Sequence, residues 1–328
     1  MLKVFITRQI PDQGIKMLKS KGYKVSIYPK DEIIPRAALL KGVKGVDAIL
    51  CDLTEKIDAQ LLKDAGPQLK IVANYAVGYD NIDLKAASAR KVYVSNTPGV
   101  LTDAVAEHAI ALMFAIARRI CEADRFTRSG KYKGWGPMLL LGTELKGKTL
   151  GIVGLGRIGA AVASRAAKGL DMKVVYNNPK PDPDFEKQFG AKYRKNLNDL
   201  LKEADFVTLH VPLLPTTRHL ISKKQFALMN PNAFLINTAR GPVVDEKALL
   251  HALKNKTIAG AALDVFECEP LIDCDIHDHL ALKNFENVIL TPHIASATIE
   301  ARQAMSRIAA ENIIAALSGK TPPNLVQG

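Results

Sequence analysis

The sequence KTLGIVGLGRIGAAVASRAA, residues 148–167, contains a glycine-rich turn. It places Gly154-x-Gly156-x-x-Gly159 directly after a short apolar strand and at the start of a helix rich in small residues. In that setting the first glycine permits a tight turn, the second lets the backbone approach a pyrophosphate, and the third lets the helix pack against the strand. The N-terminus of the helix offers free N–H groups and a partial positive charge to phosphates. The stretch therefore predicts a dinucleotide site rather than a plain strand–helix turn.

The rest of the chain alternates short apolar runs with amphipathic segments. LKVFIT, YKVSIY, VDAILC, LKIVANY and KVYVS are predicted strands in the first hundred residues, before NTPGV at 96–100 breaks the pattern. A long helix is predicted over 102–128 and a final helix over 298–317. Further strands are predicted at 148–153, 172–176, 205–210, 232–237, 258–264 and 287–290. Strands separated by helices predict parallel sheets, since parallel neighbours need long crossover connections.

Composition narrows the class of protein. The chain has 328 residues, 48% of them hydrophobic, with a mean hydropathy near zero, which suggests two domains of ordinary soluble composition. No apolar run reaches the roughly 18–20 residues of a bilayer span, and MLKVFIT enters a strand directly, so we expect a cytoplasmic protein. The formal charge is +12, but the lysines are dispersed, which predicts a basic surface around an anion-handling site and no nucleic-acid partner. Four cysteines form no CxxC pair and are expected to be reduced thiols: Cys51, Cys121, Cys268 and Cys274.

The cofactor preference is predicted from MKVVYNNPKPDP, residues 172–183. Its strand ends on Asn177, where a dinucleotide-binding fold usually presents an Asp or Glu to the adenosine ribose. A carboxylate there would repel the 2′-phosphate of NADP, whereas an amide does not. Asn178 and Lys180 follow, and the lysine can reach a phosphate as a point charge. These residues favour NADP(H), with NAD(H) possible; the alternative is that Asn177 merely begins the turn before Pro179.

Side chains capable of chemistry follow three predicted strands in the second half. Arg240 lies in LINTARG, Asp264, Glu267 and Glu269 lie in LDVFECEP, and His293 lies in VILTPHIAS. The carboxyl ends of parallel strands meet at one edge of a sheet, where open α/β sheets bind ligands. We therefore expect Arg, Glu and His to converge on one crevice.

With these motifs, the chain resembles the D-isomer-specific 2-hydroxyacid dehydrogenases. GLGRIG, LHVPL, NTARG, DVFECEP and TPHIAS occur in the family's order, and NYAVGYDNID, GWGPMLLLGTELKGKTLGIVGLGRIG and PPNLV are most similar to the glyoxylate/hydroxypyruvate reductase branch. The resemblance implies an α/β fold of two doubly wound parallel-sheet domains, a Rossmann cofactor domain inserted in a flavodoxin-like substrate domain. The implied boundaries are 1–98 and 292–328 for the substrate domain and 99–291 for the cofactor domain. A homodimer packed through the long helix after residue 100 is also implied.

The resemblance implies reduction of a small 2-oxo acid to the D-2-hydroxy acid with NAD(P)H. Arg240 would bind the substrate carboxylate and carbonyl, His293 would be the general acid, and Glu269 would be its partner. A bidentate guanidinium suits a carboxylate, and a proton donor is needed where hydride leaves an alkoxide. The N–H groups of Val77 and Gly78 would also hold the carboxylate, with Leu53 close by. The implied cofactor-binding residues are Thr102, Gly154, Leu155, Gly156, Arg157, Ile158, Gly159, Asn177, Asn178, Lys180, Val211, Thr216, Thr238, Ala239, Arg240, Asp264, His293, Ala295 and Ser296.

Some alternatives stay open. The family fold also serves as a nicotinamide-sensing corepressor, and the phosphite dehydrogenases resemble this chain, although they carry a lysine where Val77 stands. Residues 1–98 hold no evident arginine cluster for a phosphate, so glyoxylate and hydroxypyruvate are favoured over 3-phosphohydroxypyruvate, while bulkier 2-oxo acids remain possible. The 271–285 loop contains Cys274, His277 and His279, but their spacing matches no ordered zinc ligand set, so a solvated loop is expected.

Overall fold

The computed structural model describes residues 1–269 and 282–326, and the chain divides into two compact units. Unit 1 contains Met1–Leu101 and the chain from Ala297 onward; unit 2 is Thr102–Ser296. These boundaries lie three and five residues after the predicted ones at 98 and 291. His293 consequently belongs to unit 2, together with Arg240 and Glu269.

Unit 1 is a five-stranded parallel sheet in the order β2-β1-β3-β4-β5. Its central strands read AILC and IVAN and are buried at every position, as expected for strands covered on both faces. The first and last helices of the unit pack closely, since a Cβ on Gly14 would lie 2.2 Å from the backbone oxygen of Ser306. The elements are β1 (Lys3–Ile6), α1 (Asp12–Ser20), β2 (Lys24–Ile27), α2 (Arg36–Gly42), β3 (Ala48–Cys51), α3 (Ala59–Ala65), β4 (Ile71–Asn74), α4 (Leu84–Ala89), β5 (Tyr93–Ser95) and, at the end of the chain, α12 (Ile299–Leu317).

Unit 2 is a seven-stranded parallel sheet in the order β12-β11-β10-β9-β6-β7-β8. The order reverses beside β6, the strand that leads into the glycine turn, and such a switch point is where open α/β sheets bind ligands. The elements are α5 (Thr102–Ala117), α6 (Ile120–Arg128), β6 (Thr149–Val153), α7 (Arg157–Gly169), β7 (Lys173–Asn177), α8 (Pro183–Phe189), β8 (Lys192–Tyr193), α9 (Leu197–Glu203), β9 (Phe206–Leu209), α10 (Lys223–Phe226), β10 (Phe234–Asn237), a 3₁₀ turn (Gly241–Val243), α11 (Glu246–Lys254), β11 (Gly260–Leu263) and β12 (Val288–Leu290).

Two apolar cores sandwich the sheet of unit 2. One core includes α5 and α7, with Met113, Val162 and Phe206 fully buried or nearly so. The other includes α9 and α11, with Leu200 and Leu249 fully buried. Both faces of this sheet are therefore covered by apolar cores. The polar residues of the predicted site lie in the loops that follow the carboxyl ends of the strands.

The predicted fold class is confirmed, with two local corrections. The single long helix predicted over 102–128 is wrong, because α5 ends at Ala117 and α6 begins at Ile120. Arg119 between them has a φ of 54°, and its guanidinium binds Glu122 at 2.6 and 2.7 Å. Neither glycine nor proline marks this break in the sequence. The two-residue edge strand β8 was also not predicted.

The cysteines differ from expectation at one position. Cys51 and Cys121 are free thiols, whereas Cys268 is disulfide-bonded, so the prediction of reduced thiols throughout is wrong for Cys268. Cys274, His277 and His279 of the loop considered for zinc lie outside the described residues. Within residues 1–269 and 282–326, each helix is too short or too polar to traverse a bilayer.

Candidate active site

The glycine turn has the geometry that the sequence predicts. Gly154 has a φ of 97°, and a Cβ there would lie 2.8 Å from the carbonyl oxygen of His210. A Cβ on Gly159 would lie 2.1 Å from the carbonyl oxygen of Gly154, so the first turn of α7 can pack against the glycine turn only if residue 159 is glycine. Gly156 is the N-cap of α7, and a Cβ added there would meet no atom of the described residues within 4 Å, which leaves the helix N-terminus open to a phosphate.

The two asparagines after β7 are tied to the protein. The side-chain amide of Asn177 donates to the carbonyls of Arg194 at 2.8 Å and Lys195 at 3.2 Å, joining β7 to the segment after β8. Asn178 accepts from the N–H of Leu155 at 3.2 Å and so braces the glycine turn. The side chain of Lys180 is exposed. The side-chain amide of Asn177 is therefore directed at backbone carbonyls, which gives this residue a structural role in addition to its predicted one.

His293 and Glu269 form the predicted pair. Nδ1 of His293 lies 2.7 Å from Oε1 of Glu269, and the two side chains are 22% and 21% exposed. In the described part of the chain Nε2 of His293 has no hydrogen-bond partner. The carboxylate thus orients the ring, while the second nitrogen stays available to a substrate.

Asp264 holds the turn that presents His293. His293 has a φ of 52°, a conformation that costs a non-glycine residue free energy unless its surroundings impose it. Its N–H donates to the carbonyl of Asp264 at 2.9 Å. The carboxylate of Asp264 accepts from the N–H groups of Ile294 at 2.9 Å and Ala295 at 2.8 Å. The segment after β12 is therefore folded around one carboxylate at the end of β11.

The charge of Asp264 is stabilised by its donors. The residue is fully buried, and burial alone raises the pKa of a carboxyl group. Hydrogen bonds from His108, Thr291 and the two backbone N–H groups outweigh that effect, so the pKa of Asp264 is lowered. Oγ1 of Thr291 lies 2.6 Å away and Nε2 of His108 lies 3.4 Å away. Its implied part in cofactor binding stays a prediction.

Arg240 is presented by a loop that Asn237 folds. Asn237 accepts from the N–H of Ala239 at 3.0 Å and donates to the carbonyl of Arg240 at 2.9 Å. A Cβ on Gly241 would lie 1.7 Å from the carbonyl oxygen of Phe266, so this position has to be glycine. The loop carrying Arg240 thus lies against the segment that leads to Glu269.

Glu267 has a bracing role, although the sequence placed it among the candidate acids. One of its oxygens lies 2.6 Å from Nε2 of His219, and the other accepts from the N–H of Glu246 at 3.2 Å. Its own N–H donates to the buried carboxylate of Glu246. These contacts join the loop after β9 and the start of α11 to the segment of Glu269.

Two polar residues, His210 and Thr238, follow β9 and β10 at the carboxyl ends of these strands. Burial lowers the pKa of His210 to about 3, so this imidazole is neutral at pH 7; its Nε2 lies 3.0 Å from Oγ1 of Thr208. The buried Oγ1 of Thr238 is one of three buried side-chain polar atoms without a hydrogen-bond partner among the described residues. A buried hydroxyl without a partner is costly, and a ligand group would satisfy it.

The predicted site residues fall into the two units separately. In unit 2, the residues implied to bind the cofactor lie in the glycine turn or after the carboxyl ends of β7, β9, β10, β11 and β12. Thr102 is the exception, since it begins α5. In unit 1, Leu53 follows β3, and Val77 and Gly78 follow β4. Asn237 was not predicted as a site residue, although it opens the NTARG motif, and His210 was given no role. His108 was also missed; the available signal was a histidine on the apolar stripe of α5.

The chain is similar over its whole length to known proteins. Residues 110–295 match the model of the D-isomer specific 2-hydroxyacid dehydrogenase, NAD binding domain, family. The chain is 53% identical over 328 residues to a glyoxylate reductase of Thermococcus litoralis, covering 99% of this chain and 96% of that one. It is similar to a solved protein of Thermus thermophilus at 41% identity, TM-score 0.91, covering 99% and 100% of the two chains. An NADPH-dependent glyoxylate/hydroxypyruvate reductase of Sinorhizobium meliloti, solved with NADP and malonate, is 33% identical with a TM-score of 0.83, covering 99% and 96%.

Proposed function

Because the chain belongs to the D-isomer-specific 2-hydroxyacid dehydrogenase family, we propose that it reduces glyoxylate or hydroxypyruvate, preferentially with NADPH. Its relatives show that the protein is an NAD(P)-dependent oxidoreductase acting on a 2-oxo acid. The observation that carries the proposal is the His293–Glu269 contact at 2.7 Å, on a segment against which the loop of Arg240 packs.

His293 supplies the proton in this reaction. When a nicotinamide cofactor is bound, it supplies the hydride for the carbonyl carbon. The carbonyl oxygen then needs a proton, and Nε2 is the nitrogen of His293 that Glu269 leaves available. In the reverse direction the same nitrogen accepts the proton from the hydroxyl group. Glu269 stabilises the imidazolium by a charge-assisted hydrogen bond and fixes the plane of the ring.

Arg240 binds the carboxylate of the substrate. A guanidinium offers two parallel N–H donors, which match the two oxygens of a carboxylate, and its charge also favours the developing negative charge on the carbonyl oxygen. Its backbone is fixed by Asn237, and one of its guanidinium nitrogens donates to the carbonyl of Ala239 at 2.9 Å.

The preference for NADPH rests on the end of β7. No carboxylate stands at position 177, and Lys180 is exposed two residues beyond Asn178. The NADP-bound relative from Sinorhizobium meliloti supports the assignment. Because the amide of Asn177 is engaged with two backbone carbonyls, we assign the attraction for a 2′-phosphate to Lys180 and only the lack of repulsion to Asn177.

The protein is proposed to act as a homodimer. The segment between α6 and β6 exposes Tyr132, Trp135, Met138 and Leu141, with Trp135 85% exposed. Exposed apolar side chains grouped in one segment are typical of a surface that a partner covers. Light scattering coupled to size-exclusion chromatography should give the mass of a dimer, and Trp135→Ser should shift the equilibrium toward the monomer. A monomeric wild type would contradict this part.

The experiment that tests the function is a panel of 2-oxo acids, each measured with NADPH and with NADH. We expect kcat/KM to be highest for glyoxylate or hydroxypyruvate and higher with NADPH than with NADH. A clear preference for 3-phosphohydroxypyruvate would overturn the substrate assignment. Far better use of NADH would overturn the cofactor assignment, and no turnover of any 2-oxo acid would favour a binding role.

A further inference from the structure

The loop after β4 has its carbonyl groups fixed one after another. The carbonyl of Ala76 accepts from the N–H of Thr97 at 2.9 Å. The next carbonyl, of Val77, accepts from the side-chain amide of Asn96 at 2.8 Å, and that of Gly78 accepts from the side-chain amide of Asn74 at 2.7 Å. Three consecutive peptide planes are therefore each held by a separate donor.

Fixing a carbonyl also fixes the direction of the following N–H. In a planar trans peptide the C=O of one residue and the N–H of the next point in opposite directions. The bond from Thr97 thus turns the N–H of Val77 away from the Thr97 side, and the bond from Asn96 does the same for the N–H of Gly78. Within the described residues neither of these two N–H groups has a hydrogen-bond partner. Successive free backbone N–H groups of this kind form an anion-binding concavity.

Asn96 is itself held by the last described segment of the chain. Its N–H donates to the carbonyl of Asn324 at 3.3 Å, and its own carbonyl accepts from the amide of Asn312 at 3.3 Å. Asn312 is fully buried and also exchanges hydrogen bonds with Asn324 at 3.0 and 3.3 Å. Leu325 pairs with Ser95 beside β5. The closing PPNLV motif, to which the proposed reaction gives no role, therefore positions Asn96.

We propose that Asn96 is a positioning residue for substrate binding, aiming the N–H of Gly78 at the substrate carboxylate while being held in place by Asn312 and Asn324. The inference rests on the proposed function only in taking the loop Val77–Gly78 as a carboxylate site. Asn96 acts through Val77 and need not touch the substrate. Its removal should weaken one of the two backbone donors and leave the N–H of Val77 fixed by Thr97.

The test compares Asn96→Ala with Asn287→Ala in the cofactor-loaded protein. Asn287 is a matched control, a half-buried asparagine whose amide donates to the carbonyl of Ala259 at 2.7 Å in unit 2. Calorimetry measures the Kd for oxalate as a non-reacting dicarboxylate, and steady-state kinetics measures KM for glyoxylate and for NADPH. In Asn96→Ala we expect the oxalate Kd and the glyoxylate KM to rise about two- to tenfold, the range of one hydrogen bond, with the NADPH KM unchanged. Asn287→Ala should leave all three constants at wild-type values.

Several results would overturn the inference. Wild-type oxalate affinity in a folded Asn96→Ala protein would do so, as would the absence of oxalate binding to the wild type. An equal change in Asn287→Ala would show a general loss of structure instead of a positioning role. If Asn96→Ala does not fold, Asn96→Ser, whose hydroxyl is too short to reach Val77, takes its place. If the oxalate affinity of the protein depends on Asn96 but the wild type reduces no 2-oxo acid, the inference stands and the proposed reductase activity falls.

Discussion

Replacing Glu269 by Gln should lower kcat for reduction by about 10- to 150-fold, as follows from the free energy of its hydrogen bond with His293. The carboxylate lies 2.7 Å from Nδ1 of His293, and both side chains are about four-fifths buried, so the hydrogen bond is charge-assisted and only partly screened. Hydrogen bonds to charged groups contribute about 1.5–3 kcal/mol, which corresponds to that range of rates. Gln keeps the shape and can still accept from Nδ1, so the variant should fold normally.

The assay is glyoxylate reduction followed through NADPH consumption between pH 6 and pH 8. Glu269→Gln should be slower than the wild type by that factor, because the protonated ring has lost its charge-assisted hydrogen bond to a carboxylate. Glu267→Gln is the matched control, since Glu267 also contacts a histidine, His219, at 2.6 Å and lies two residues away. It should retain most of the activity at every pH. A Glu269→Gln enzyme as active as the wild type across this range would refute the role of the pair.

Three further outcomes are expected. Arg240→Lys should raise KM for the 2-oxo acid at least tenfold, because an ammonium cannot form the two parallel hydrogen bonds of a guanidinium; an unchanged KM would contradict this. Lys180→Ala should raise KM for NADPH by up to about fivefold, as an exposed ion pair allows, and leave KM for NADH unchanged, whereas Lys173→Ala at the other end of β7 should change neither. Burial lowers the pKa of His210 to about 3 from an unfolded value near 6.5, so the unfolded chain takes up a proton first as pH falls below 6.5 and stability is lost there. Between pH 7 and pH 5 this costs at most about 2 kcal/mol, and chemical denaturation should show a smaller loss in His210→Asn.

Much of the fold could be predicted from the alternation of apolar runs, because strands buried on both faces need near-continuous hydrophobic sequence. FVTL and FLIN, the strands β9 and β10, are buried throughout and were recognisable. The break at Arg119 was not, since arginine has no preference for a positive φ and no glycine or proline marks the position. Strand β8 has only two residues, too few to show a period.

The candidate site was predictable where the motif itself contains the chemistry and less so where the chemistry comes from a distance. His293 and Glu269 are 24 residues apart yet meet as expected, because each follows a neighbouring strand of one parallel sheet. Asp264 holds the turn that carries His293, and His108 on α5 donates to Asp264. The second contact depends on the packing of α5 against the edge of the sheet. Sequence spacing alone does not report such packing, and the same holds for the contact of Asn96 with Asn324.

The role of His293 as proton donor is tested by the rate of glyoxylate reduction by His293→Ala, with NADPH binding measured on the same sample. We expect the wild type to turn over and the variant to bind NADPH normally. The variant should reduce glyoxylate about 10²–10⁴-fold more slowly, since that is the contribution of a positioned proton donor. A His293→Ala protein that binds NADPH and keeps the wild-type rate would contradict the account.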